Sequence, residues 1–307
     1  MLTSFYRSLR EERLMEATAT QVNSWILATS PSEQELQSLA ERYHLEIGHL
    51  KDALDPLEVP RLEIEGPVLY LFTRLPLREG SAATSPYLII HTDDHLFSIT
   101  EKPVSFLSAW IEQSKDIVTT QKTKLILQIL SQINHAYVSQ MNAISKQIRS
   151  IGAQLADADI KNRNIVQLVS LERILQDFVS SLVPMNSILS QLLIGKYIKF
   201  YDEDKDLIED LAHSTGQLIE LARSHLKTIV SLREASSTIM TNNLNRIIKL
   251  LTSLTVILMF PNLVTGLYGM NVAMPYADSP FAFVGILFFI LAMTICLFIL
   301  FAKNRWL

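Results

Sequence analysis

The chain has 307 residues, 49% of them hydrophobic and 19% charged, with a formal net charge of −4 and a single cysteine, Cys296. Those values exclude the basic field of a nucleic-acid binder and leave no disulfide framework or cysteine-based zinc site. Mean hydropathy is nevertheless positive, +0.22, because the apolar residues crowd into the C-terminal part.

The opening residues Met1 to Arg7 carry no apolar stretch of a secretory signal, which places the large N-terminal part in the cytoplasm. Residues 1–112 mix short strands and short helices. Ser32 and Glu35 have the spacing of a capping box ahead of Leu36, Leu39 and Ala40, which predicts a helix. Arg61 to Glu65 alternates, and Val68 to Phe72 is a dense β-favouring run. Tyr87 to Ile90 and Leu96 to Ile99, split by His91 to His95, read as a hairpin. This is an α/β domain.

Residues 113–246 read as a helical region and stalk. Leu125, Ile126, Ile129, Leu130, Ile133, Tyr137 and Met141 recur at helical spacing. A second long helix starts at the acidic cluster Asp202-Glu203-Asp204, where carboxylates suit the positive end of the helix. It meets no proline before Pro261 and no glycine between Gly216 and Gly266, so it could reach roughly 80 Å at 1.5 Å per residue. A stalk entering a membrane needs that length.

Two C-terminal segments, 247–270 and 281–302, are long and apolar enough to cross a bilayer. Arg246 and Lys249 stand at the start of the first and Lys303 and Arg305 follow the second, whereas the loop 271–280 has no Lys or Arg. The positive-inside rule then puts both termini, with the basic tail 303–307, in the cytoplasm and the short loop outside. Within the first span Asn245, Ile248, Leu251, Thr255, Met259, Asn262 and Gly266 are spaced by three or four and share one helical face. An asparagine in hydrocarbon needs a polar partner or water. The stripe is either a helix–helix contact held by Asn and Thr or the lining of a pore. Two helices cannot enclose a pore, so the second reading requires an oligomer. The second span, with Thr294 as its internal polar residue, reads as lipid-facing.

The segment Gly266-Leu267-Tyr268-Gly269-Met270-Asn271, ending the first span, resembles the signature of the CorA family of magnesium transporters. The tail Lys303-Asn304-Arg305-Trp306-Leu307 and the segment from Asp52-x-x-Asp55 to Pro60 extend the resemblance over nearly the whole chain. It implies a funnel-shaped homopentamer: an α/β cytoplasmic domain, long stalk helices, a first transmembrane helix lining the pore and a second forming an outer ring. Gly269, Met270 and Asn271 would form the selectivity mouth, where amide oxygens receive the waters of a still-hydrated Mg2+. The family's pore-lining positions fall on Asn262, Met259, Leu251, Ile248 and Asn245. The resemblance also implies regulatory Mg2+ held between subunits, with the paired carboxylates at Asp52 and Asp210.

Two departures bear on these expectations. Lys51 stands where many relatives place a further carboxylate, and the loop Met274 to Asp278 lacks the usual glutamate, leaving Asp278 as its acid. The expected cargo is Mg2+, with Zn2+, Co2+ or Ni2+ on the same architecture as the alternative. A membrane-anchored sensor without transport is the reading from another class. His91-x-x-x-His95 with Asp93 and Asp94 reads as a polar turn rather than a metal cluster. No Gly-rich phosphate loop, nucleophile elbow or catalytic triad is found, so no enzyme is expected.

Overall fold

The computed structural model describes residues 2–11, 13–16, 21–77, 83–113, 116–156, 162–195, 198, 200–270, 281–304 and 306. Branched and aromatic residues place the strands: β1 (Leu2–Tyr6), β2 (Met15–Glu16), β3 (Trp25–Thr29), β4 (Arg61–Glu65), β5 (Val68–Pro76), β6 (Thr84–His91) and β7 (Leu96–Thr100). They form one sheet in the order β2-β1-β3-β7-β6-β5-β4. Neighbours are antiparallel except β3 with β7, where Trp25 pairs with Leu96. The expected hairpin is β6 and β7, closed by Thr92. Its N–H and its Oγ1 both donate to the His95 carbonyl at 3.0 Å.

The central strands are buried along their length, as a sheet covered on both faces requires. On one face lie α1 (Glu33–Tyr43) and α2 (Ile47–Asp52), whose Leu36, Leu39 and Leu50 share a core with Tyr70, Phe72 and Ile90. Helix α1 starts as its sequence dictates. The Glu35 N–H donates to Ser32 Oγ at 3.2 Å and the Ser32 N–H donates to Glu35 Oε2 at 2.8 Å. It stops at His44, which adopts a left-handed φ of 54°. After α3 (Ser105–Gln113), helices α4 (Lys122–Ala156) and α5 (Asn162–Leu193) lie against β5. The region read as helical ahead of the stalk thus holds two long helices.

Helix α6 (Asp202–Tyr268) is 67 residues long and runs on through Pro261, a residue that transmembrane helices tolerate better than soluble ones. It is joined to α4 by a buried polar contact. Asn134 Nδ2 donates to Thr215 Oγ1 at 3.0 Å, and Ser214 Oγ donates to Asn134 Oδ1 at 2.8 Å. The last helix, α7 (Ala282–Lys303), contains no charged residue before Lys303. The chain divides into two compact units, one of residues 1–157 and 161–232 and the other built on Arg233–Leu307. An α/β domain, a long helix and a second apolar helix are thus all present.

Candidate functional site

Helices α6 and α7 each hold a stretch long and apolar enough to cross a membrane. Each buries one row of residues. On α6 the row is Ser253, Ile257 and Val264, at 0, 7 and 8% exposure, with Phe260 and Pro261 half-buried beside them. On α7 it is Ile286, Ile290, Thr294, Leu297 and Phe301, all half-buried and three or four apart. These rows make the α6–α7 seam, where the rings of Phe260 and Phe289 lie 6.2 Å apart. Its hydroxyls are satisfied within their own helices: Ser253 Oγ donates to the Leu250 carbonyl and Thr294 Oγ1 to the Ile290 carbonyl, both at 2.8 Å. Small side chains such as Ser253 let apolar helices approach closely.

The stripe of Asn245, Ile248, Leu251, Thr255, Met259, Asn262 and Gly266 is exposed at every position. At 3.6 residues per turn its centre lies about 180° around α6 from the seam. Ile248, Leu251 and Met259 are 50, 62 and 61% exposed, so α7 does not cover them. Thr255 Oγ1 donates to the Leu251 carbonyl at 2.8 Å.

Beyond the end of α6 the Gly269 N–H donates to the Thr265 carbonyl at 2.9 Å. A Cβ on Gly269 would sit 3.3 Å from that same oxygen, so the chain closes there at a distance suited to glycine. Met270 is exposed. Asn271 and the loop to Pro280, with Asp278, lie outside the described residues, as do Arg305 and Leu307 of the tail.

Asp52 is the last residue of α2, and its Oδ2 accepts a bond from Arg61 Nη2 at 2.8 Å. Arg61 is on the edge strand β4, where alternation turns Arg61, Glu63 and Glu65 to one face. Its guanidinium also pairs with Glu58 and with Glu63 (2.5 Å), and lies 3.9 Å from the centre of the Phe72 ring. His49 Nε2 is 3.1 Å from Glu63 and 3.5 Å from Glu65. Lys51 turns away to Glu33 of α1, at 2.8 Å. Asp210 is exposed on α6. Among the described residues no group of three His, Cys, Asp or Glu is arranged to hold a metal ion. The His91 to His95 segment is the polar turn expected: His95 Nδ1 bonds Ser24 Oγ at 3.1 Å, and burial holds both imidazoles below their ordinary pKa.

Sequence reasoning missed the Arg61 network and the seam. The alternation of β4 and the spacing of Ser253, Ile257 and Val264 were the available signals, but their partners come from other elements.

The family described as CorA-like Mg2+ transporter protein matches residues 20–303. The cobalt/magnesium transport protein CorA of Methanocaldococcus jannaschii is 23% identical over 293 residues, covering 92% of this chain and 90% of that one. The complete structure of the CorA magnesium transporter from the same organism superposes with a TM-score of 0.84 at 22% identity, covering 100% of this chain and 99% of the other. The structure of the full-length CmaX protein has a TM-score of 0.73 at 19% identity, covering 99% and 97%. With the matched region spanning soluble domain, long helix and both apolar helices, the chain belongs to the CorA-like Mg2+ transporter family and is a membrane transporter of divalent cations.

Proposed function

We propose that the chain takes up Mg2+ as a homopentameric channel in the cytoplasmic membrane, with both termini cytoplasmic. The soluble part would be 1–112 plus the helical region and stalk 113–246. The pore helix would be 247–270, the external loop 271–280, the outer helix 281–302 and the cytoplasmic tail 303–307. The observation that carries this reading is the stripe on α6, which is left bare on the side opposite α7. Five copies of that face around an axis would enclose rings of Asn262 and Asn245 separated by apolar rings of Met259, Leu251 and Ile248.

From Leu250 to Met270 the helix carries no charged residue. Neutral amide oxygens suit a cation that keeps its water shell, because Mg2+ loses waters reluctantly. They also bind weakly enough to let it pass. The apolar rings would close the path by dewetting. Uptake needs no chemical fuel, since 100 mV moves each divalent ion with about 4.6 kcal/mol.

Gating by internal Mg2+ belongs to the same proposal, with Asp52 of one subunit and Asp210 of the next as the carboxylates. Hard carboxylate oxygens fit Mg2+, which takes one or two of them and retains several waters. Asp52 is 43% exposed and Asp210 is exposed, so both are open to an ion. Co2+ is the second cargo to test, since the M. jannaschii relative is named for cobalt and magnesium. The test is Mg2+ flux into proteoliposomes, comparing the parent with Asn271→Ala. The proposal expects parental flux and its loss or altered selectivity in the variant. Equal flux in both would remove Asn271 from the mouth, and absence of flux in the parent would favour a sensor.

A further inference from the structure

Resting on the reading of Asp52 as a gating carboxylate, we propose that Arg61 is a built-in counter-cation that competes with Mg2+ for Asp52. It thereby sets the internal Mg2+ concentration at which the channel closes. The bond is direct, Nη2 to Oδ2 at 2.8 Å, and Lys51, the neighbouring cation on α2, is drawn off to Glu33. Arg61 is also held independently of Asp52, by Glu58, by Glu63 and by the face of Phe72.

The holder is itself built into the fold. Arg74 of β5 clamps the 56–58 segment through bonds to the Glu58 carbonyl (2.5 Å) and the Pro56 carbonyl (2.9 Å), and its Nε donates to Thr84 Oγ1 at 2.8 Å. Removing Asp52 from this network would leave Arg61 two carboxylate partners, so the guanidinium can release Asp52 without being stranded. That is the arrangement of an exchangeable partner rather than of a fixed structural pair.

Mg2+ reaching Asp52 must share or displace the guanidinium, so its apparent affinity falls by roughly the equilibrium constant of the ion pair. For a pair 43% and 29% exposed, that factor is about three- to fivefold. Without Arg61 the carboxylates of Asp52, Glu63 and Glu65 would keep His49 within 3.1–3.9 Å, but Asp52 and Glu63 would lose the guanidinium they now share, which raises the local attraction for a cation in the same direction.

The experiment titrates Mg2+ alone against the full-length chain. One readout is Mg2+-dependent protection of the stalk from limited proteolysis in nanodiscs; the other is flux at fixed internal Mg2+ in proteoliposomes. Arg61→Gln should lower the Mg2+ midpoint about three- to fivefold with maximal flux unchanged, and Arg61→Lys, which keeps the charge, should stay nearer the parent. Glu58→Gln, which leaves Arg61 more fully committed to Asp52, should raise the midpoint and carries the test if Arg61→Gln does not fold. An unchanged or higher midpoint in Arg61→Gln, or no change in Glu58→Gln, overturns the proposal. Asp52→Ala separates the two layers. If it retains the parental midpoint, the gating role of Asp52 fails and the inference with it. If it abolishes protection while Arg61→Gln leaves the midpoint unmoved, the competition alone is refuted.

Discussion

Asn134→Ala probes a buried polar contact that ties α4 to α6. Asn134 is 7% exposed and Thr215 2%, and the amide both donates to Thr215 Oγ1 and accepts from Ser214 Oγ. Truncation leaves the buried Thr215 hydroxyl without its donor. A stranded buried polar group costs about 1–3 kcal/mol. At about 2–4 °C per kcal/mol for a unit of this size, the melting temperature should fall by about 2–12 °C. Trp25, fully buried with its Nε1 donating to Ser98 Oγ, reports the transition by fluorescence of the full-length protein in detergent. Thr215→Val, isosteric but without the hydroxyl, supplies the control. The double variant should cost at least about 1 kcal/mol less than the sum of the two singles, because each single change strands the group the other removes. Strict additivity would refute the assignment of that stability to this contact.

Two further outcomes follow from local structure. Ser32→Ala deletes the capping box of α1 and should cost about 1 kcal/mol; the Glu35 amide should then exchange its hydrogen faster while amides in β6 stay protected. Acid should weaken the soluble unit through His91, His95 and His225, all held below the ordinary histidine value of 6.5 by burial, with Arg149 adding to the effect at His225. A depressed histidine binds its proton more readily when unfolded, so its contribution is intact above pH 6.5 and is lost as pH falls through the lower folded value. Melting temperature should therefore drop between pH 7 and 5. His225→Gln should flatten that drop, and an unchanged slope would exclude His225 as a contributor.

What the sequence revealed was local. The Ser32–Glu35 box, the β6–β7 hairpin, the acidic start of α6 and the two apolar helices are set by residues within a few positions of one another, and periodicity reads such signals directly. The sheet order was not legible, because β3 meets β7 in parallel across a separation of 71 positions, Trp25 to Leu96, and short strands such as β1 are held by pairing with β3. The stripe on α6 was legible as spacing, but the bare spacing fitted a helix contact as well as a pore. The buried row of Ser253, Ile257 and Val264 gives the contact with α7 to the opposite face, which leaves the stripe bare for the pore proposed above. Asp52 was named from the sequence, and its partner Arg61 was not. Arg61 reads as an ordinary charge on an edge strand until α2 and the 56–58 segment are folded around it.

The pore assignment is tested most directly by asking which face of α6 meets water and ions. Cys296 is the one cysteine in the chain, so Cys296→Ser gives a background for single cysteines at Thr255 and Asn262 on the stripe and at Ile257 and Val264 on the seam. Each is exposed to a charged, membrane-impermeant thiol reagent while Mg2+ uptake is followed in proteoliposomes at low internal Mg2+. The account expects the reagent to stop uptake through the Thr255→Cys and Asn262→Cys channels and to leave the Ile257→Cys and Val264→Cys channels untouched. Block from the seam, or full uptake after labelling of the stripe, would contradict it.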